Sequence, residues 1–188
     1  FISEKHRYPK FIFVGRIDPL KGLEYLIQAI AQIKEEIGYF ETWIIGDGPE
    51  KDNLMKLSIQ LKTDKHIKFF KAITDRKRLM KTYCLADIFV LPSLLEGFSL
   101  VILEAWAAGL AVIATDTGLL VSFGRHRENV FTVTPRDSKS LSSAMLTLIK
   151  DNDLRLKIAS GGRQMVDDTL SWKAASERLE ETYFMFSK

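Results

Sequence analysis

Glu96 and Glu104 stand eight positions apart in the chain, and Gly97 and Ser99 follow closely on the first. Before them, Asp87-Ile88-Phe89-Val90-Leu91-Pro92-Ser93 reads as a buried strand ending at a proline; after them, Ala105-Trp106-Ala107-Ala108-Gly109 continues a helix that stops at glycine. Gly97 to Ser99 therefore belong at a loop-to-helix junction above the carboxyl end of a strand. Free backbone N–H groups and the positive end of the helix dipole point outward there, which suits a phosphate. With the helix starting near Phe98, Glu104 lies almost two turns in and Glu96 stays in the loop. Carboxylates make poor phosphate ligands but good acceptors for sugar hydroxyls. Two of them beside an anion site suggest a nucleotide-sugar.

A second cluster follows the first strand: Gly15-Arg16-Ile17-Asp18-Pro19-Leu20-Lys21-Gly22. Gly15 permits a sharp exit from the strand. Arg16, a bidentate fork, and Lys21, a point charge, together neutralise a diphosphate. A solvated turn with incidental charges is the competing reading. Gly46-Asp47-Gly48-Pro49 has only two of the glycines of a dinucleotide fingerprint, which argues against a nicotinamide cofactor. Asp47 there either serves the next helix or lines the site mouth. Asp151-Asn152-Asp153 is a D-x-D, a pattern able to hold a metal on a nucleotide-sugar, but its place between two helices favours a cap, so no metal site is expected. His6, His66 and His126 lack ligand-spaced partners, and Arg125-His126-Arg127 reads first as a solvated charge run and second as a phosphate contact. Cys84, the single cysteine, excludes an internal disulfide, fits a reducing compartment and is expected to pack in the core. No Ser-His-Asp order, Cys–His pair or P-loop stands out. The chemistry rests on positioning a phosphorylated donor, not on a protein nucleophile.

The elements that must hold these residues alternate. Strands are expected at 11–15, 42–46, 67–70, 88–91, 111–115 and 130–133. Helices are expected at 22–37, 50–61, 75–85, across the Glu96–Glu104 junction, and at 137–150, 154–169 and 171 to the end. Near-continuous apolar strands alternating with helices predict a Rossmann-like three-layer α/β domain, its mainly parallel sheet of about six strands covered on both faces. The 188 residues, 46% hydrophobic and 27% charged, suit one soluble domain, and a net charge of +3 gives no case for nucleic acid. Pro92, Glu96 and Glu104 interrupt the apolar zone 88–114 and exclude direct membrane insertion.

Glu96-Gly97-Phe98-Ser99 with Glu104-Ala105 resembles the E-x7-E motif of the retaining family-4 glycosyltransferases of GT-B fold. Gly15-Arg16 with Lys21-Gly22, the Gly46-Asp47-Gly48-Pro49 turn, Ala86-Asp87, Pro92-Ser93, Gly109, Ala114-Thr115-Asp116 and Ser171-Trp172 extend the resemblance over nearly the whole chain. It implies that residues 1–188 are the C-terminal, nucleotide-sugar-binding half of such an enzyme, and that the N-terminal acceptor half is absent. It implies catalytic or binding roles for Gly15, Arg16 and Lys21 on the donor diphosphate and for Glu104 on the ribose. It places Glu96 on the transferred sugar, and the backbone of Gly97 to Leu100 on phosphate and sugar. No cofactor is obligatory. The acceptor, a saccharide or lipid-linked glycan, would be held by the missing half, which would also make any peripheral contact of a cytoplasmic enzyme with the membrane; the fragment alone would turn over poorly. Trp172, Tyr183, Phe184 and Phe186 then either contact that half or pack in the core. The family often has glycine where this chain has Lys71, Leu119 and Val130, and proline where it has Ala111. A GT-B epimerase or phosphorylase, or a non-catalytic nucleotide-sugar module, is the alternative.

Overall fold

A computed structural model describes residues 8–171 and Ser176. Six strands, β1 (Lys10–Val14), β2 (Glu41–Ile45), β3 (Ile67–Phe70), β4 (Ile88–Leu91), β5 (Ala111–Thr115) and β6 (Phe131–Val133), form one sheet in the order β3-β2-β1-β4-β5-β6. Every neighbouring pair is parallel. The chain builds outward from β1 to β3, then returns to lay β4 against the other side of β1. That reversal opens a crevice at the carboxyl ends of β1 and β4, where ligands of such sheets bind.

The strand sequences explain their burial. All residues of β4 and β5 are buried, as are Phe11 to Val14 of β1, because helices cover both faces. Helix α1 (Leu23–Ile37) buries the expected stripe of Leu23, Leu26, Ile27, Ile30 and Ile33, and packs against α2 (Lys51–Gln60) and α6 (Ser138–Lys150). On the other face, α4 (Leu100–Ala107) packs against α3 (Arg76–Tyr83) and α7 (Asn152–Met165). Fully buried Trp106 donates its indole N–H to the Asn129 carbonyl at 2.8 Å. A Cβ at position 162 would fall 2.1 Å from Trp106 Cδ1, so Gly162 is what lets α7 approach α4.

Several expectations need correction. Helix α4 starts at Leu100 with Ser99 as its N-cap residue, so Glu104 lies little more than one turn in. A short helix, α5 (Leu119–Phe123), was not foreseen, since five residues show no periodicity. Helix α7 runs from Asn152 to Met165 and gives way to a π-helical turn at Val166–Leu170. Cys84 is exposed: the inward face of α3 ends on Tyr83, and the next residue points about 100° away from it. Asp75 and Asp151 do act as caps, accepting from Arg78 N–H at 2.8 Å and Leu154 N–H at 2.9 Å. His66 stacks on Phe40 and hydrogen-bonds its carbonyl, a packing role. Leu119 and Val130 are buried core residues. His6, the final helix and the aromatic residues at 172, 183, 184 and 186 lie outside the described residues.

Candidate functional site

Between β1 and α1 the chain makes a 3₁₀ turn at Pro19–Lys21, capped by the Asp18 carboxylate, which accepts Leu20 N–H at 3.0 Å. Gly22 follows in the left-handed region, φ +60°, and a Cβ there would stand 2.3 Å from the Pro92 carbonyl oxygen. Glycine at this point allows the turn to press on the end of β4, and a Leu94 N–H to Leu20 carbonyl bond of 2.7 Å joins the two loops. The closure delivers Lys21 to Glu96.

Lys21 Nζ donates to Glu96 Oε1 at 2.7 Å, and Ser93 Oγ donates to the same oxygen at 2.6 Å. The two charged side chains are only 22% and 10% exposed. Burial alone would raise the Glu96 pKa, but the bonds from Lys21 and Ser93 and the lysine charge outweigh it and hold the carboxyl below its ordinary value. Glu96 is therefore charged at neutral pH. The β5–α5 loop backs it, since a Cβ at Gly118 would meet the Gly97 oxygen at 2.0 Å.

Beyond Glu96, Phe98 and Leu100 are 59% and 63% exposed, while Ser99 is buried and its hydroxyl forms no well-aligned hydrogen bond. No side chain caps the first N–H groups of α4. Glu104 projects from α4 and accepts the hydroxyl of Tyr83 at 3.1 Å. Tyr83 is fully buried; that burial, then the Glu104 charge and hydrogen bond, push its hydroxyl pKa well above the ordinary tyrosine value. The Arg16 side chain is 73% exposed and pairs loosely with Asp18 at 3.7 Å. Gly15 leaves β1 extended, its N–H on the Ile45 carbonyl at 3.1 Å.

All nine sequence-derived candidates, from Gly15 to Glu104, thus surround the carboxyl ends of β1 and β4. Lys21 and Glu96 are brought into direct contact, whereas Arg16 and Glu104 find Asp18 and Tyr83. Ser93 and Tyr83 were missed. Ser93 stood in the resemblance only as part of the Pro92-Ser93 strand end, with no role attached, and Tyr83 read as an ordinary core aromatic. Next along the sheet, a cleft of about 400 Å³ is lined by Trp43, Ile45, Phe70, Lys71, Ile73 and Arg78, among others.

The Arg125-His126-Arg127 segment does different work. His126 Nδ1 accepts Thr132 N–H at 3.1 Å and its ring meets Phe131 edge-on, while Arg127 lies over the same ring. Burial and the Arg127 charge lower the His126 pKa. Among the described residues, no group of three or more His, Cys, Asp or Glu is arranged to hold a metal, and no helix is long and apolar enough to cross a membrane.

Cations, unspent N–H groups and two carboxylates within one crevice can take a ligand that is anionic at one end and rich in hydroxyls at the other. Residues 1–165 match the family model of glycosyl transferases group 1. The chain belongs to this family. Among its relatives, the lipopolysaccharide core biosynthesis glycosyltransferase LpsE of Rhizobium meliloti is 31% identical over 169 residues, 90% of this chain and 48% of LpsE. The C-terminal domain of the group 1 glycosyl transferase LpcC from Francisella tularensis superposes with a TM-score of 0.81 at 31% identity, covering 87% of each chain. HepE of Anabaena, solved with UDP, gives 0.82 at 26% identity over 95% of this chain and 49% of HepE. The chain spans about half the length of the curated relatives it matches. It is a group 1 glycosyltransferase domain whose structural neighbours are C-terminal domains of GT-B enzymes.

Proposed function

We propose that this domain binds the nucleotide-diphosphate sugar for a retaining transfer to a saccharide or lipid-linked acceptor, the acceptor being held by a further N-terminal domain. The observation that carries the reading is the half-buried Lys21–Glu96 pair at the β1/β4 crevice, flanked by exposed Arg16, the uncapped start of α4 and Glu104. Relatives support it: HepE is solved with UDP and with UDP-glucose, and LpsE acts in lipopolysaccharide core biosynthesis.

In this reading Arg16 closes over the diphosphate and Lys21 turns from Glu96 toward it. The released Glu96 oxygen, still charged, accepts a hydroxyl of the transferred sugar, and backbone N–H groups of Phe98 to Leu100 complete the phosphate and sugar contacts. Glu104, held by Tyr83, takes the ribose. The departing diphosphate then helps to deprotonate the acceptor on the same face of the sugar, preserving anomeric configuration without an obligatory metal. Turnover needs the acceptor domain, so the isolated chain binds donor and transfers little.

Thermal shifts with UDP, GDP, ADP and their common sugars test this. At 100 times Kd a ligand adds about 2.7 kcal/mol, or roughly 5–11 °C for a domain of this size. One nucleotide should shift the wild type and lose its effect in Glu104→Ala, and Glu96→Ala should weaken mainly the sugar-bearing form. A folded sample that responds to none of them would overturn the assignment.

A further inference from the structure

Three strand exits meet at Asp47. Its backbone carbonyl accepts Ile17 N–H at 3.0 Å, which fixes the loop after β1. Its Oδ2 accepts Ala72 N–H at 3.0 Å, which fixes the loop after β3. Its Oδ1 takes Lys51 Nζ at 2.8 Å, and Lys51 also donates to the Gly46 carbonyl at 3.1 Å, so the turn after β2 is clamped to the start of α2. The turn is pressed hard against its neighbour: a Cβ at Gly48 would lie 2.1 Å from the Ile17 oxygen. The Ala72 N–H, foremost, and Lys51 hold the Asp47 carboxyl below its ordinary pKa, so the clasp is charged at neutral pH.

We infer that Asp47 is a positioning residue that sets the 71–75 loop over the nucleoside end of the donor, acting through the Ala72 N–H and contacting no reacting atom. The inference rests on the donor-binding reading above. With the diphosphate fixed by Arg16 and Lys21 at β1 and the ribose by Glu104 on α4, the base extends toward the exits of β2 and β3. The cleft there has Trp43, Phe70 and Ile73 as apolar walls, and the 71–75 loop forms part of it. A base stacks on such surfaces only while the loop keeps its distance from the sheet. The Asp47 side chain is the polar tether of that loop to the neighbouring turn.

Calorimetric titration of the chain with inorganic pyrophosphate and with UDP, GDP and ADP tests it. Asp47→Ala should weaken the preferred nucleoside diphosphate about three- to ten-fold while leaving pyrophosphate within two-fold. Asp47→Asn, which keeps an acceptor for Ala72 but loses the Lys51 charge, should fall between and still reports if the alanine variant does not fold. Unchanged nucleotide affinity in both variants, or a parallel loss of pyrophosphate, would overturn the positioning role. Wild-type protein that binds none of the four would instead remove the donor reading, and this assignment with it.

Discussion

Replacing Tyr83 by phenylalanine isolates one bond. The ring volume stays, so no cavity opens among the residues around this fully buried side chain, and only the hydroxyl that Glu104 accepts at 3.1 Å is lost. Hydrogen bonds to charged groups contribute about 1.5–3 kcal/mol, but a strong hydroxyl–carboxylate bond is nearer 2.6 Å, which puts this one at or just below the lower end of that range, roughly 1–1.5 kcal/mol. For a domain of this size that corresponds to a fall in Tm of about 2–6 °C. The folded-state tyrosine has a raised pKa, so its contribution is complete below the ordinary tyrosine value and declines as pH rises beyond it, where the unfolded chain sheds the proton and the folded one does not. The decline is about 1.4 kcal/mol per pH unit above pH ~10. Urea unfolding from pH 8 to 11 should therefore show Tyr83→Phe less stable by a constant margin up to pH ~10, with the two proteins converging near pH ~11. Nucleoside diphosphate affinity should drop about three- to ten-fold, because Glu104 loses the contact that fixes its direction. A margin that stays constant to pH 11, or unchanged nucleotide affinity, would refute the coupling of Tyr83 to Glu104.

Two further predictions concern the frame. Buried Glu41 accepts Tyr39 Oη at 2.9 Å, Tyr8 Oη at 3.2 Å, the Trp43 indole N–H at 2.9 Å and the Lys68 ammonium; burial opposes its charge, yet these donors prevail and lower its pKa to about 2. Its contribution is present above the ordinary glutamate value and lost as pH falls toward 2, so the wild type should lose roughly 2–4 kcal/mol over that window and Glu41→Gln far less, as read by acid unfolding followed by circular dichroism. Gly162→Ala gains about 1 kcal/mol of helix propensity but drives a Cβ to 2.1 Å from Trp106, so calorimetry should show a net loss of about 1–2 kcal/mol; a higher Tm would mean that α7 does not sit against the indole as described.

The alternation of apolar strands and helices was legible because each element carries its own period, and the sheet's parallel arrangement followed from strands with no polar face. The Glu96–Glu104 spacing was legible for the same local reason. What local spacing does not encode is which loop leans on which. The Lys21–Glu96 contact spans 75 positions and depends on Gly22 fitting under the Pro92 carbonyl. Asp47 read either as serving the next helix or as lining the mouth, and its link to the 71–75 loop was not legible because that partner, the Ala72 N–H, lies 25 positions away. Tyr83 was hidden by being an aromatic on the inward face of a helix, where packing alone accounts for its presence. Cys84 was misplaced for a related reason: apolar neighbours in sequence do not tell which side of a helix's last turn faces inward.

The reversal of strand order between β1 and β4 also bears on how the domain comes into being. The strands β1 to β3 pair with neighbours close in sequence, and so do β4 to β6, so each half can assemble on local connections. The join between them is another matter: Lys10 N–H to Asp87 Oδ2, at 2.9 Å, bridges 77 positions, and the Lys21–Glu96 contact bridges nearly as many. Closing a loop of that length is entropically slow and is rewarded only after both edges are formed. The crevice lies on this seam, with Arg16 and Lys21 on one bank and Glu96 and Glu104 on the other. The binding site is thus expected to be complete only once both halves have docked, α1 against α6 as well as β1 against β4, and a ligand that spans it would fasten the two together.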